Sequence, residues 1–158
     1  MSVPMTRRRL AAFSLIVMLT QAPLWAVGGS DTEYIGGTIN TIKEGTGGKS
    51  SAKDEKVFSF EYKNGKLAIP YDRINDLEYG QKAGRRVGLA IVVSPFLLLS
   101  HKRKHFLTIG YLDENDKQQA AVFELGKNVV RVTLTTLEAR TGKKIDYQDE
   151  EARKSGLG

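Results

Sequence analysis

Apolar side chains recur at every second position in several stretches of this chain, the spacing of strands with one face buried. In YIGGTINTI, after a flexible lead-in at Gly28 to Asp31, Ile35, Gly37 and Ile39 fall on one face, and the paired glycines predict a bend or bulge. KEGTGGKSSAKDEK is polar and glycine-rich, so it reads as a hairpin region. KVFSFEY then places Phe58, Phe60 and Tyr62 together, and Asn64-Gly65 is a strong hairpin signal before KLAIPY, which aligns Leu67, Ile69 and Tyr71. Pro70 removes a ladder donor, so that strand lies at a sheet edge or ends there. Ile74 and Leu77 continue toward Tyr79.

Farther along, HFLTIGYL sets Leu107, Ile109 and Tyr111 against Phe106, Thr108 and Gly110. QAAVFEL aligns Ala121, Phe123 and Leu125 after a turn at Asp113 to Asp116. The period then changes. Val130, Leu134 and Leu137 stand at i, i+4 and i+7, which predicts a helix from Val129 to about Arg140, capped by Asn128 and stopped by Gly142. Val132, Thr133, Thr135 and Thr136 are poor helix formers, so docking of the stripe must hold this helix together. Residues 146–158 show no periodic apolar face and read as a mobile charged tail.

Strands followed by one C-terminal helix, with GGKSSAKDEKVFSFEYKNGKLAIPYDRINDLEYG in front and KHFLTIGYLDENDKQQAAVFEL and TLTTLEARTG behind, resemble a PH-like or GRAM-type bacterial domain. The resemblance spans residues 33 to 142. It implies a mainly β fold: a PH-like antiparallel barrel or sandwich of about seven strands, with near-orthogonal sheets capped by the helix. It also implies a scaffold that binds lipid headgroups, peptides or proteins. Fold class alone does not select among those ligands.

The N-terminus adds a compartment. Arg7, Arg8 and Arg9 precede an apolar run from Leu10 to Leu19, then Pro23 and Leu24-Trp25-Ala26, the order of a secretory signal peptide ending at residue 26. If uncleaved, Leu10 to Val27 is just long enough to anchor the chain in a bilayer. The domain is expected over 27–145, exported to a periplasm or cell envelope. The chain has no Cys, which excludes disulfides, thiolate chemistry and lipoprotein anchoring. Its 24 Lys and Arg face 18 Asp and Glu, and without the three N-terminal arginines the balance is 21 against 18. That mild excess argues against nucleic-acid binding.

Motifs for chemistry fail on inspection. Gly48-Lys49-Ser50 invites a P-loop reading, but Lys43 stands where the first glycine belongs and strand-forming residues follow. Asp113, Asn115 and Glu124 match three positions of a calcium loop, yet Lys117 and Gln118 occupy two others that need a ligand and a glycine. His101 and His105 are four apart, but the cations of HKRKH separate them and no acid nearby completes a zinc set. With no G-x-S-x-G and no His–acid pair at recognisable spacing, the expectation is a non-catalytic protein without metal or cofactor.

One segment breaks the alternation. RRVGLAIVVSPFLLLSHKRKH holds an apolar run from Val87 to Leu99, interrupted at Ser94-Pro95 and closed by basic residues at both ends. As a single helix the run rises about 20 Å, short of the roughly 30 Å hydrocarbon core. Folded back at the break, it brings both basic ends to one level. Val87, Leu89, Ile91, Val92, Val93, Phe96, Leu97 and Leu98 then form an apolar tip suited to a membrane. Lys82, Arg85, Arg86, Lys102, Arg103 and Lys104 form a collar suited to the headgroups of anionic lipid. Two other readings stay open: a strand buried on both faces, and a contact with a protein partner or a second copy.

Overall fold

The computed structural model describes residues 31–81, the backbone of 92–93, and 104–157. The expected signal peptide over 1–26 lies outside them. The strands are β1 (Thr32–Gly37), β2 (Thr46–Ser51), β3 (Val57–Tyr62), β4 (Gly65–Pro70), β5 (Ile74–Gly80), β6 (Val92–Val93), β7 (Phe106–Leu112), β8 (Gln118–Leu125) and β9 (Asp146–Tyr147). Two helices follow β8: α1 (Val130–Thr141) and α2 (Glu150–Leu157). The protein is therefore mainly β, with a mixed sheet in which, among the described residues, only β5 and β9 run parallel.

Strand order is β4-β3-β2-β1-β8-β7-β5-β9, with β6 added beside β1. The path ends at β4 and at β9, so the sheet does not close into the expected barrel. It curls instead. On a flat sheet β3 and β8 would stand about 14 Å apart, yet the rings of Phe60 and Phe123 meet at 5.2 Å and those of Phe58 and Phe123 at 5.6 Å. Phe58, Phe60 and Ile69 from one half share a core with Leu77, Leu107, Ile109 and Phe123 from the other. The Val130, Leu134 and Leu137 stripe of α1 completes that core, as the helical spacing predicts.

Local chemistry explains most elements. The β3–β4 hairpin turns at Lys63-Asn64, with Gly65 already paired to Tyr62. Pro70 ends β4 at the sheet edge, where its missing N–H costs no ladder bond. Asp113 Oδ1 accepts from the N–H groups of Asn115 and Lys117, tying the β7–β8 turn with a carboxylate where a calcium loop would need a ligand. Gly142 ends α1 in the left-handed region at φ 68°.

Five expectations need correction. β1 carries a bulge between Tyr34 and Gly36, so Tyr34 rather than Ile35 joins the core, although Ile35 is equally buried. Gly48-Lys49-Ser50 lies inside a strand rather than a turn, because β1 and β3 flank it and Gly48 leaves room for the Phe60 ring, 2.8 Å from where a Cβ would sit. Asn128 makes no side-chain cap, and Val129 is the cap residue of α1. Residues 146–157 form β9 and α2 rather than a mobile tail. The single C-terminal helix becomes two, since Ala152 and Gly156 let α2 pack closely, a Cβ on Gly156 lying 3.0 Å from Leu134, Tyr147 and Tyr79.

Candidate functional site

The connection between β5 and β7 holds the apolar stretch. Gly80 and Phe106 are direct partners across these strands, so the two ends of the connection, at Gly80 and Phe106, lie side by side in the sheet. Lys82, Arg85, Arg86, Lys102 and Arg103 lie outside the described residues, as do Val87, Leu89, Ile91, Phe96, Leu97 and Leu98. Val92 and Val93 are described as backbone: β6 pairs antiparallel with Gly37 and Gly36 of β1.

Strand pairing sets what surrounds the Gly80–Phe106 pair. Side chains alternate between faces, and Leu107, Ile109, Tyr111, Phe123 and Tyr79 take the core face. Their neighbours take the other. Register then lines up Gly80, Phe106, Glu124 and Glu33 in one row of this second face, with Glu78, Thr108 and Val122 in the next. Phe106, Thr108, Ala120 and Val122 are buried there although none belongs to the core cluster.

Lys104 is the collar residue that the structure describes. Its ammonium donates to Glu124 Oε2 at 2.6 Å and sits 5.9 Å from the centre of the Phe106 ring. The side chain is 16% exposed, so its charge is held against β8 rather than facing outward. Glu33 lies directly across from Glu124. Burial pushes the Glu33 carboxyl above its ordinary range, the Glu124 charge adds to this, and Lys104 opposes it. Glu78 is 3% exposed and accepts a hydrogen bond from Gln148 Nε2 at 3.0 Å. Gly80 makes that approach possible, because a Cβ there would lie 2.2 Å from the Gln148 side chain.

Beside this face, His105 turns to the other side of the sheet. Its Nδ1 shares a 2.5 Å hydrogen bond with the Tyr79 hydroxyl, and the two rings stack at 6.1 Å. Burial holds the imidazole below its ordinary value, Lys127 adds to this and Glu124 opposes it. Tyr79 also packs against Tyr147 and α2, so the pair joins the helix to the sheet. His101, its partner in the zinc reading, lies outside the described residues, among which no group of three His, Asp or Glu is placed to hold a metal ion.

A separate groove of about 740 Å³ runs between α1 and the β2–β3 corner, lined by Lys49, Lys53, Ser59, Thr133, Val132 and Arg140 among others. Asp31, Asp54 and Glu61 also line it, so its charge is mixed. Sequence spacing pointed to the basic residues expected to form a collar, but not to Glu33, Glu78, Glu124 or Gln148. Those acids occupy the polar positions of alternating strands, where a sequence reads solvent, and pairing register is what gathers them. Compared with known proteins, the chain matches no family model and no curated protein.

Proposed function

We propose that this is an exported, non-catalytic PH-like binding module that attaches peripherally to an envelope membrane. Apolar residues from Val87 to Leu99 insert, and Lys82, Arg85, Arg86, Lys102 and Arg103 meet anionic headgroups. The observation that supports this reading is the Gly80–Phe106 pairing: the connection that carries the stretch begins and ends at neighbouring positions of the sheet. Each cation near an anionic surface contributes on the order of 1 kcal/mol, and the apolar contact adds to this, so neither signal has to suffice alone. Lys104 is left out of the headgroup set because Glu124 already takes its charge.

The pairing of β6 with β1 favours a second reading, a soluble periplasmic protein-interaction domain in which the stretch is core or a contact between copies. Vesicle co-sedimentation separates the two. Under the first reading the protein pellets with anionic vesicles more than with neutral ones, salt weakens this, and charge reversal at Arg85, Arg86, Lys102 and Arg103 abolishes most of it. Equal recovery in the supernatant with and without vesicles contradicts attachment. Concentration-dependent light scattering without lipid would then favour the second.

A further inference from the structure

We propose that the groove between α1 and the β2–β3 corner is a binding site for a phosphate-bearing ligand, held at the open first turn of the helix. The helix end is the first observation. α1 has 12 residues, no acid in its first turn and no side-chain cap at Val129. The N–H of Val129 reaches the Gly126 carbonyl and that of Thr133 the Val129 carbonyl. Between them, the N–H groups of Val130, Arg131 and Val132 meet no carbonyl among the described residues. Three aligned donors at the positive end of a helix attract an anion. Asn128 and Val129 line the groove, so this end opens into it.

Buried hydroxyls are the second, independent observation. Ser59 is 5% exposed and Thr133 6%, and both line the groove. Neither hydroxyl has a hydrogen-bond partner among the described residues, whereas Thr135 and Thr141 of the same helix bond back to the carbonyls of Arg131 and Leu137. Buried polar groups rarely go unpaired, so these two call for an acceptor that enters the groove. Charge defines its chemistry. Glu61 is paired with Lys66 at 3.0 Å, Asp54 accepts from the N–H groups of Lys56 and Val57, and Asp31 accepts from the Thr32 hydroxyl. Lys49, Lys53 and Arg140 line the same groove with no ion pair among the described residues. Three N–H groups, two hydroxyls and a lysine exceed what the two oxygens of a carboxylate accept, and they suit the three terminal oxygens of a phosphate. Arg140 stands about 15 Å farther along α1. A groove of about 740 Å³ therefore has room for an organic body beside Val129 and Val132. This site shares no residue with the proposed membrane attachment and does not rest on it.

Titration of the isotope-labelled full chain with inorganic phosphate, followed by amide NMR at constant ionic strength, tests the site, with chloride as the control. The proposal predicts saturable shifts centred on Val130 to Thr133 and on Ser59, absent with chloride. Thr133→Val nearly keeps the side-chain shape and removes the hydroxyl. Affinity should fall about fivefold, the equivalent of one net hydrogen bond, and return in Thr133→Ser. The double variant Lys49→Gln, Lys53→Gln should weaken binding by more. A lipid headgroup and a soluble phosphoester offer the same group, and two further probes separate them. Phosphate that releases the protein from vesicles of phosphatidic acid assigns the group to a headgroup, and binding of glycerol phosphate without such release assigns it to a soluble ester; both results support the site. Shifts that fail to saturate, shifts centred on exposed lysines elsewhere, or an affinity unchanged by Thr133→Val overturn it. The phosphate titration contains no vesicles, so failure of the membrane reading leaves its result unaffected.

Discussion

The two faces of the β5–β7–β8–β1 sheet are made by the same strands and are both buried at their centre, yet they are built from opposite materials. The core face carries Tyr79, Leu107, Ile109 and Phe123, closed by α1 and by aromatic rings from β3. The second face carries Glu33, Glu78, Glu124, Thr108 and Val122. A face made for packing stabilises the fold by itself. The second face holds its acids with specific partners instead: Lys104 pairs with Glu124, and Gln148 donates to the buried Glu78. The strands thus pack large apolar side chains on one side and mix acids with small residues on the other.

The largest expected difference between the faces is in packing energy. Phe123→Ala empties the point where Tyr34, Phe58 and Phe60 converge, and costs about 3–5 kcal/mol in urea denaturation. Val122→Ala, one residue away on the second face, costs about 2 kcal/mol if that face is covered in solution. A value near zero for Val122→Ala would show the second face open to water.

A smaller effect lies in the pH dependence of His105 and Glu33, whose pKa values move in opposite directions. His105, on the tyrosine side, is held below its ordinary value by burial. Its contribution is complete above the unfolded value near 6.5 and is lost as pH falls through the folded one. The melting temperature should therefore drop between pH 7.5 and 5.5, and by less in His105→Gln. Glu33, on the second face, is raised, so its contribution is present below the ordinary carboxylate value and lost as pH rises through the folded one. Glu33→Gln should melt slightly higher than the wild type at pH 7, with the gain shrinking toward pH 4.5. A gain that grows on acidification would contradict burial as the cause.

How much of this was legible in the sequence follows from what each residue does. β3, β4, β7, β8 and α1 announce themselves because large apolar side chains at period two or 3.6 do the packing. β2 does not, since TGGKSS contributes a backbone and, at Gly48, an absence of side chain. The same reason hid α2, whose contact with Leu134 and Tyr79 is made through Gly156 and Ala152 rather than through an apolar stripe. The basic flanks of the apolar stretch stand out as composition. The acids of the second face do not, because Glu33, Glu78 and Glu124 lie far apart in sequence and only strand register puts them on one face, with Glu33 directly opposite Glu124. Lys104 shows the limit most plainly: its place in HKRKH reads as collar, and Glu124 holds it to the sheet.

Insertion of the apolar stretch is tested most directly by a reporter within it. The sequence has one tryptophan, Trp25, so Trp25→Phe combined with Phe96→Trp leaves a single tryptophan, placed in the stretch and excited apart from the tyrosines. With membrane attachment, its emission shifts to the blue on adding anionic vesicles, shifts less with neutral ones, and returns when salt is raised. Emission that is unchanged by vesicles of either kind contradicts insertion.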